Sequence, residues 1–210
     1  MVIIGTGEQG RVVLDILLSN GFKPDGFLNI PPFKKEEICG FPVLGDTSCL
    51  CRFKKGIIAL GDNLKRKEVF FEATSSGLLL VNAIHSSAVI SGLAKLGKGV
   101  VISAGAMINT GAEISDNTII NTGAIIEHDC FVSSHSHIGP GACLGGGVFV
   151  GECSLIGLSA VVLPDIKIGK GVIVGAGSVV TRNVPDGLTV KGIPAKLYPN
   201  KSGFQKLRVG

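Results

Sequence analysis

Ile120-Asn121-Thr122-Gly123-Ala124-Ile125-Ile126-Glu127-His128-Asp129-Cys130-Phe131-Val132-Ser133-Ser134-His135-Ser136-His137-Ile138 is the stretch whose spacing decides the fold. An aliphatic residue stands at 120, 126, 132 and 138, and a small one follows the first three at a distance of four, as Ala124, Cys130 and Ser136. Read outward, the spacing runs without insertion from Ile84 to Val180, which fills seventeen successive hexads. A period of six fits neither a helix nor a simple strand. It fits one short strand plus one turn, with three such sides closing a lap of eighteen residues. The aliphatic position then stacks inside the coil and the small residue fits the corner. Gly97, Gly99, Gly111, Gly139, Gly141, Gly169 and Gly171 fall at the turns, where a positive φ costs glycine nothing. Residues 84–184 therefore read as a parallel β-helix of about five to six coils.

The composition agrees and excludes other classes. The chain has 210 residues, 45% hydrophobic and 17% charged, with 31 Gly, one Tyr and no Trp. Its mean hydropathy is +0.47, yet Gly and polar residues break every apolar run short of the ~18 residues of a spanning helix, so no membrane span is expected. The net charge of +4 is spread without a basic stripe, which argues against nucleic acid as a partner. Met1-Val2-Ile3-Ile4-Gly5 runs straight into a glycine turn without the basic start of a secretory leader. Six cysteines, at 39, 49, 51, 130, 143 and 153, lack paired CxxC spacing. Reduced thiols and a cytoplasmic location are the expectation.

Residues 1–83 lack the six-residue period and alternate strand and helix instead. Val2-Ile3-Ile4 reads as a buried strand, Gly5-Thr6-Gly7-Glu8-Gln9-Gly10 as a tight turn, and Arg11 to Ser19 as a helix with Val12, Val13, Ile16 and Leu17 on one face. Strands follow at Gly26–Leu28, Phe41–Leu44 and Gly56–Leu60, and Asn63 caps a charged helix running to Ala73. In such a parallel sheet the loops Gly5–Gly10, Asn29-Ile30 and Gly61-Asp62-Asn63 gather on the carboxyl rim, where ligands bind. The GxGxxG turn is not an NAD site. Asn29 stands where a ribose-binding carboxylate belongs, and the domain is too short for a second mononucleotide half. A single nucleotide diphosphate fits better, its phosphates facing the helix N-terminus at Gly10. Residues 185–210 form a C-terminal extension.

A Rossmann-like head joined without a linker to a β-helix carrying Ile126-Glu127-His128-Asp129-Cys130 resembles the bacterial sugar-nucleotide N-acetyltransferases of the hexapeptide-repeat family. Those enzymes acetylate nucleotide-linked 4-amino-4,6-dideoxyhexoses of the bacillosamine and perosamine type. Val81-Asn82-Ala83-Ile84-His85, Asn121-Thr122-Gly123-Ala124, His137-Ile138-Gly139-Pro140 and Gly192-Ile193-Pro194-Ala195-Lys196 carry the resemblance further, so that it spans residues 2 to about 198. The resemblance implies a left-handed β-helix, acetyl-CoA as co-substrate, no metal, and a homotrimer with the active sites between subunits. It places the catalytic base on His128 and its acidic partner on Asp129. Coenzyme contacts fall on His137, Gly146, Leu158 and Ala176, and nucleotide-sugar contacts on Gly7, Glu8, Gln9, Asn29, Ile30 and Gly61. Relatives often have Gly-His at Glu8-Gln9 and an Asp pair at Asn29-Ile30. Loss of those carboxylates favours a dTDP sugar, with UDP next, because no ribose 2′-hydroxyl is then held.

Acetyl transfer to an amine needs a group to take the amine proton and donors for the thioester oxygen. An imidazole with a pKa near 6.5 does the first, and Asp129 or Glu127 can fix its tautomer. The N–H groups of Gly145-Gly146-Gly147, one coil along from His128, can do the second. Direct attack in a ternary complex follows, without an acyl-enzyme. Cys130, at a small inward position, reads as a corner filler, and His135 as structural. The rival readings are a sialic acid O-acetyltransferase with similar motifs, a zinc hydratase of the γ-carbonic anhydrase type, for which His128, His135 and His137 lack the spacing, and a non-catalytic β-helix scaffold.

Overall fold

The computed structural model describes residues 1–30 and 36–198. A parallel sheet opens the chain, built from β1 (Val2–Ile4), β2 (Gly26–Asn29), β3 (Glu37–Ile38), β4 (Phe41–Asp46), β5 (Lys55–Ile58) and β6 (Leu79–Leu80) in the order β3-β4-β2-β1-β5-β6. Only β3 runs antiparallel, folded back on β4 as a hairpin that the sequence reading did not contain. Helix α1 (Glu8–Ser19) buries Val13, Leu14, Ile16 and Leu17, whereas Val12 is exposed; helix α2 (Asn63–Ser75) buries Val69, Phe70 and Ala73. The two helices thereby feed separate clusters, one holding Ile3 and Phe27 and the other Val2, Ile4 and Leu28.

From Ala83 onward the chain winds as a three-sided parallel β-helix. Each side is a ladder of two-residue strands paired with their equivalents eighteen residues on: Ile102 with Ile84 and Ile120, Ile108 with Ile90 and Ile126, Ile114 with Leu96 and Val132. We call these sides faces one, two and three. Corner A (residues 103–105 and equivalents) joins faces one and two, corner B (109–111) joins two and three, and corner C (115–117) leads back to one. The inward aliphatics and the small residues four positions later form one continuous core, including Cys130 at 1% exposure.

The turns follow a rule more specific than glycine richness. Every sixth residue from Gly99 to Gly177 has a positive φ, including Asn117, Asp129, His135, Cys153, Ser159 and Asp165. Gly141 (φ 64°) belongs to this set, but Gly97, Gly139 and Gly169 do not. A Cβ on Gly139 would lie 2.7 Å from the Ile156 carbonyl oxygen, so that position needs glycine for the close approach of the next coil. The expectation that all seven turn glycines serve a positive φ is corrected accordingly.

The head sits on face one. Ala83, Val101 and Ile119, the outward residues of its first strands, join the cluster of Val13, Ile16 and Leu17 from α1. Polar ties reinforce this seam: Asn20 donates to the Ile84 carbonyl at 2.7 Å, and Asn63 donates to the carbonyls of Cys153 and Ser154.

Candidate active site

His128 occupies corner B, two residues after the inward Ile126, and its side chain is 57% exposed. Asp129 adopts the left-handed turn conformation (φ 59°), and its Oδ2 lies 2.9 Å from His128 Nδ1. A carboxylate only accepts, so Nδ1–H donates and the Nε2 lone pair is left free for a substrate proton. The bond to Asp129 raises the imidazole pKa above its ordinary 6.5, with the charges of Asp129, Glu127 and Asp165 adding to it. Glu127, the other sequence candidate for this partner, instead accepts from Asn109 at 3.0 Å.

Gly146 lies one coil beyond His128 in the same corner. A Cβ there would stand 2.5 Å from both Cε1 and Nε2 of the ring, so the imidazole occupies the space that any side chain would fill. The expectation of a three-glycine oxyanion site is narrowed by the ladder: Gly145 N–H donates to Val162 and Gly147 N–H to the His128 carbonyl. Among the described residues only the Gly146 N–H of the three has no such partner. Leu158 and Ala176 stand at corner A, separated from His128 within one chain by the width of face two.

On the head, the carboxyl ends of β1, β2 and β5 share one edge, as expected of parallel strands. Thr6 donates to Asn29 Oδ1 at 2.8 Å across it, and Asn29 and Ile30 are both buried. The glycines of the first turn divide by task. Cβ atoms on Gly5 and Gly10 would strike the Ala59 and Gly5 carbonyls at 2.4 and 2.3 Å, whereas Gly7 faces open space. The helix begins at Glu8 with Gly7 as its N-cap, so a phosphate would meet the N–H groups around Gly7, Glu8 and Gln9 and not Gly10. Gln9 Nε2 is buried without a partner among the described residues. The second helix is capped by Asp62, which accepts from the Lys65 N–H, and not by Asn63.

The residue that joins these parts is Arg66, 0% exposed although its helix reads as a solvated charged run. Its guanidinium donates to the carbonyls of Leu60, Gly61, Asn117, His135 and Ser136 and to Asn63 Oδ1. Burial lowers its pKa to about 10, which leaves it charged at neutral pH. Arg66 thus fixes the Gly61 loop against the coil that carries His135 and His137.

Known proteins share this fold. Residues 1–73 match the PglD N-terminal domain family. A point mutant of GDP-perosamine N-acetyltransferase from Caulobacter crescentus, solved with CoA and GDP-perosamine, is 40% identical over 94% of this chain and 95% of its own, with a TM-score of 0.90. The chain belongs to the sugar-nucleotide N-acetyltransferases. The acetyltransferase domain of PglB from Neisseria gonorrhoeae, in complex with acetyl coenzyme A, is 34% identical, with 94% and 98% of the two chains covered and a TM-score of 0.89. WeeI from Acinetobacter baumannii shares the fold at 23% identity and a TM-score of 0.77. A comparison with curated protein sequences gives no match. The β-helix of this N-acetyltransferase is left-handed and parallel.

His137, expected as a coenzyme contact, is an outward residue of the β-helix. It lies on face one under the head, 6% exposed, with Nε2 3.0 Å from Asn121 Nδ2 and a further hydrogen bond to the Gly61 backbone. Burial lowers its pKa to about 4. In this N-acetyltransferase it is neutral at pH 7 and ties the Gly61 loop of the head to the β-helix. His135 is likewise buried, packed edge-on against Phe70 at 5.1 Å, with its pKa lowered to about 4 chiefly by burial. Sequence reading missed Arg66 and Asn117, whose partners lie across the seam between head and β-helix, and the buried hydroxyl of Ser103. Thr6 carried a signal in its place within the glycine turn. Among the described residues no three His, Cys, Asp or Glu side chains gather as a metal site, and no helix is long and apolar enough to cross a membrane.

Proposed function

We propose that this enzyme transfers the acetyl group of acetyl-CoA to the 4-amino group of a nucleotide-linked 4-amino-4,6-dideoxyhexose, with His128 as general base. The observation that carries the reading is the His128–Asp129–Gly146 arrangement: a proton acceptor with its tautomer fixed, lying against a glycine with an unspent N–H. The amine nitrogen attacks the thioester carbon while Nε2 takes its proton, and the Gly146 N–H faces the oxygen as charge gathers there. The C–S bond then breaks and the proton on Nε2 passes to the departing thiolate.

Leu158 and Ala176 line the coenzyme path at corner A, and His137 contributes by holding Gly61. Because corners A and B are apart in one chain, the site forms between subunits of a homotrimer, with corner B of one copy beside corner A of the next. Face two supports this assembly, since its outward residues, Val89, Met107, Ile125, Cys143, Val161 and Val179, are all apolar or thiol. Gly7, Glu8, Gln9, Asn29, Ile30 and Gly61 hold the nucleotide at the head's rim. Asn29, tied to Thr6, and Ile30 offer no carboxylate to a ribose 2′-hydroxyl, which suits dTDP, then UDP, while the Caulobacter relative carries GDP-perosamine. Six free thiols fit a reducing cytoplasm.

Acetyl-CoA turnover with GDP-, UDP- and dTDP-linked 4-amino sugars, beside free and CMP-linked sialic acid, tests the reading. Turnover of a nucleotide-linked 4-amino sugar is expected; activity on sialic acid alone would overturn it.

A further inference from the structure

Arg66 divides its five N–H groups between two tasks. Nε donates to the Asn117 carbonyl at 3.0 Å, and Nη2 donates to the His135 and Ser136 carbonyls at 2.8 and 3.1 Å and to Asn63 Oδ1 at 2.8 Å. The three carbonyl bonds cross the seam and anchor the head to the β-helix. Nη1 crosses nothing. It donates at 3.0 and 3.2 Å to the carbonyls of Leu60 and Gly61, in the head's own loop between β5 and α2. Every N–H of the guanidinium is then in use, so Arg66 has none to offer a ligand.

The two Nη1 bonds decide which way the loop's peptides face. In a trans peptide the C=O and the N–H point in opposite directions. The carbonyls of Leu60 and Gly61 turn inward to Nη1, so the N–H groups of Gly61 and Asp62 turn outward, toward the rim where β1, β2 and β5 end. Neither N–H has a hydrogen-bond partner among the described residues, whereas the Lys65 N–H in the first turn of α2 is capped by the Asp62 side chain.

Joining head to β-helix does not require this arrangement. A side chain that only bridged the seam would have no need of carbonyls five and six residues back in its own domain, and Nε and Nη2 already make the bridge. The Gly61 backbone is held a second time by His137. The guanidinium also keeps its charge at neutral pH, and a cation on the carbonyl side polarises each peptide, which strengthens its N–H as a donor.

We propose that Arg66 is a positioning residue for the sugar nucleotide: acting through the loop, it aims the Gly61 and Asp62 N–H groups at an acceptor oxygen of the nucleotide. The proposal rests on the reading above that Gly61 lines the nucleotide rim, and it adds the buried residue that shapes that part of the rim.

Two measurements on the full-length enzyme test it, with the tightest binder among dTDP, UDP and GDP as the probe. In the wild type, hydrogen exchange across residues 59–64 is expected to slow at the Gly61 and Asp62 amides when the diphosphate is added. Arg66→Lys keeps the charge but loses the planar fork. It is expected to raise Kd for the diphosphate and KM for the sugar nucleotide together by about 10-fold, the scale of one or two weakened hydrogen bonds, with kcat at saturation and KM for acetyl-CoA within about twofold of wild type. Ile168→Ala, which opens a cavity in the β-helix core, lowers Tm and leaves the diphosphate Kd unmoved. Amides that exchange alike with and without bound diphosphate overturn the proposal, even if Arg66→Lys fails to fold. A diphosphate Kd within about twofold of wild type in Arg66→Lys overturns it too, as does an equal rise in Ile168→Ala, which would trace the loss to stability alone. A wild-type enzyme that binds none of the three diphosphates overturns the nucleotide reading itself.

Discussion

Gly146→Ala separates the position of His128 from the stability of the fold. The new Cβ would lie 2.5 Å from Cε1 and Nε2 of the imidazole, against an ordinary carbon contact of about 3.5 Å or more, so the ring must retreat by about 1 Å. It can do so cheaply, because it is the end of a 57% exposed side chain, and its ring supplies the three atoms nearest to a Cβ on Gly146. Gly146 is not among the residues of positive φ, so alanine meets no backbone strain, and the restriction it places on the unfolded chain is worth about 0.4–1 kcal/mol in favour of the fold. A misplacement of about 1 Å at a reacting group costs on the order of 10²-fold, within the ~10²–10⁴-fold that a general base supplies. The expected result is kcat reduced about 10²-fold with Tm equal or slightly raised, read by thiol release at saturating substrates and by thermal melting. Activity within threefold of wild type would refute the placement of the base. A higher KM for acetyl-CoA with kcat intact would instead confine Gly146 to coenzyme binding and remove the steric argument.

Other substitutions examine the remaining parts. His128→Ala loses ~10²-fold or more in kcat with melting unchanged, and a variant at wild-type rate refutes the base assignment. Asp129→Asn keeps a residue tolerant of the left-handed turn but removes the chief cause of the raised His128 pKa, so the acidic limb of kcat/KM moves to lower pH; a limb that stays fixed belongs to another group. Arg66→Met strands several buried carbonyls and costs at least about 3 kcal/mol, or roughly 6–12 °C in Tm, with Arg66→Lys in between. His135 and His137 have folded pKa values near 4, below the unfolded 6.5, so the unfolded chain binds more protons as pH falls through that window and stability drops. At about 1.4 kcal/mol per unit and per histidine, the pair removes about 2–3 kcal/mol between pH 7 and 5.5. Equal urea midpoints at the two pH values would show that the rings take up protons while folded.

What the sequence made legible follows from the distance over which each signal acts. The hexad register is local and repeated, so Ile126, Cys130 and Ile138 announced their inward positions before any coordinate, and the same register placed Gly146 one coil from His128. Corner geometry was half visible. Glycine at 141 and at 139 looks alike in a sequence, although one serves a positive φ and the other the approach of a neighbouring coil. The seam was invisible. Arg66 sits in Asn63-Leu64-Lys65-Arg66-Lys67-Glu68, a run that reads as a wet helix face, and only the turned-out carbonyls of corner C, 51–70 residues away, make its burial tolerable. His137 shows the same limit from the other side. The register set it outward on face one, but an outward residue is exposed only where nothing covers the face. Here the head covers it, which turns a wall residue into a strut beneath Gly61. On the proposed reading, the acetyl-transfer end of the site is encoded within the repeat, while the sugar-nucleotide end depends on how the head docks against it. Substitutions at the seam should accordingly alter recognition of the sugar nucleotide more than the chemistry at His128.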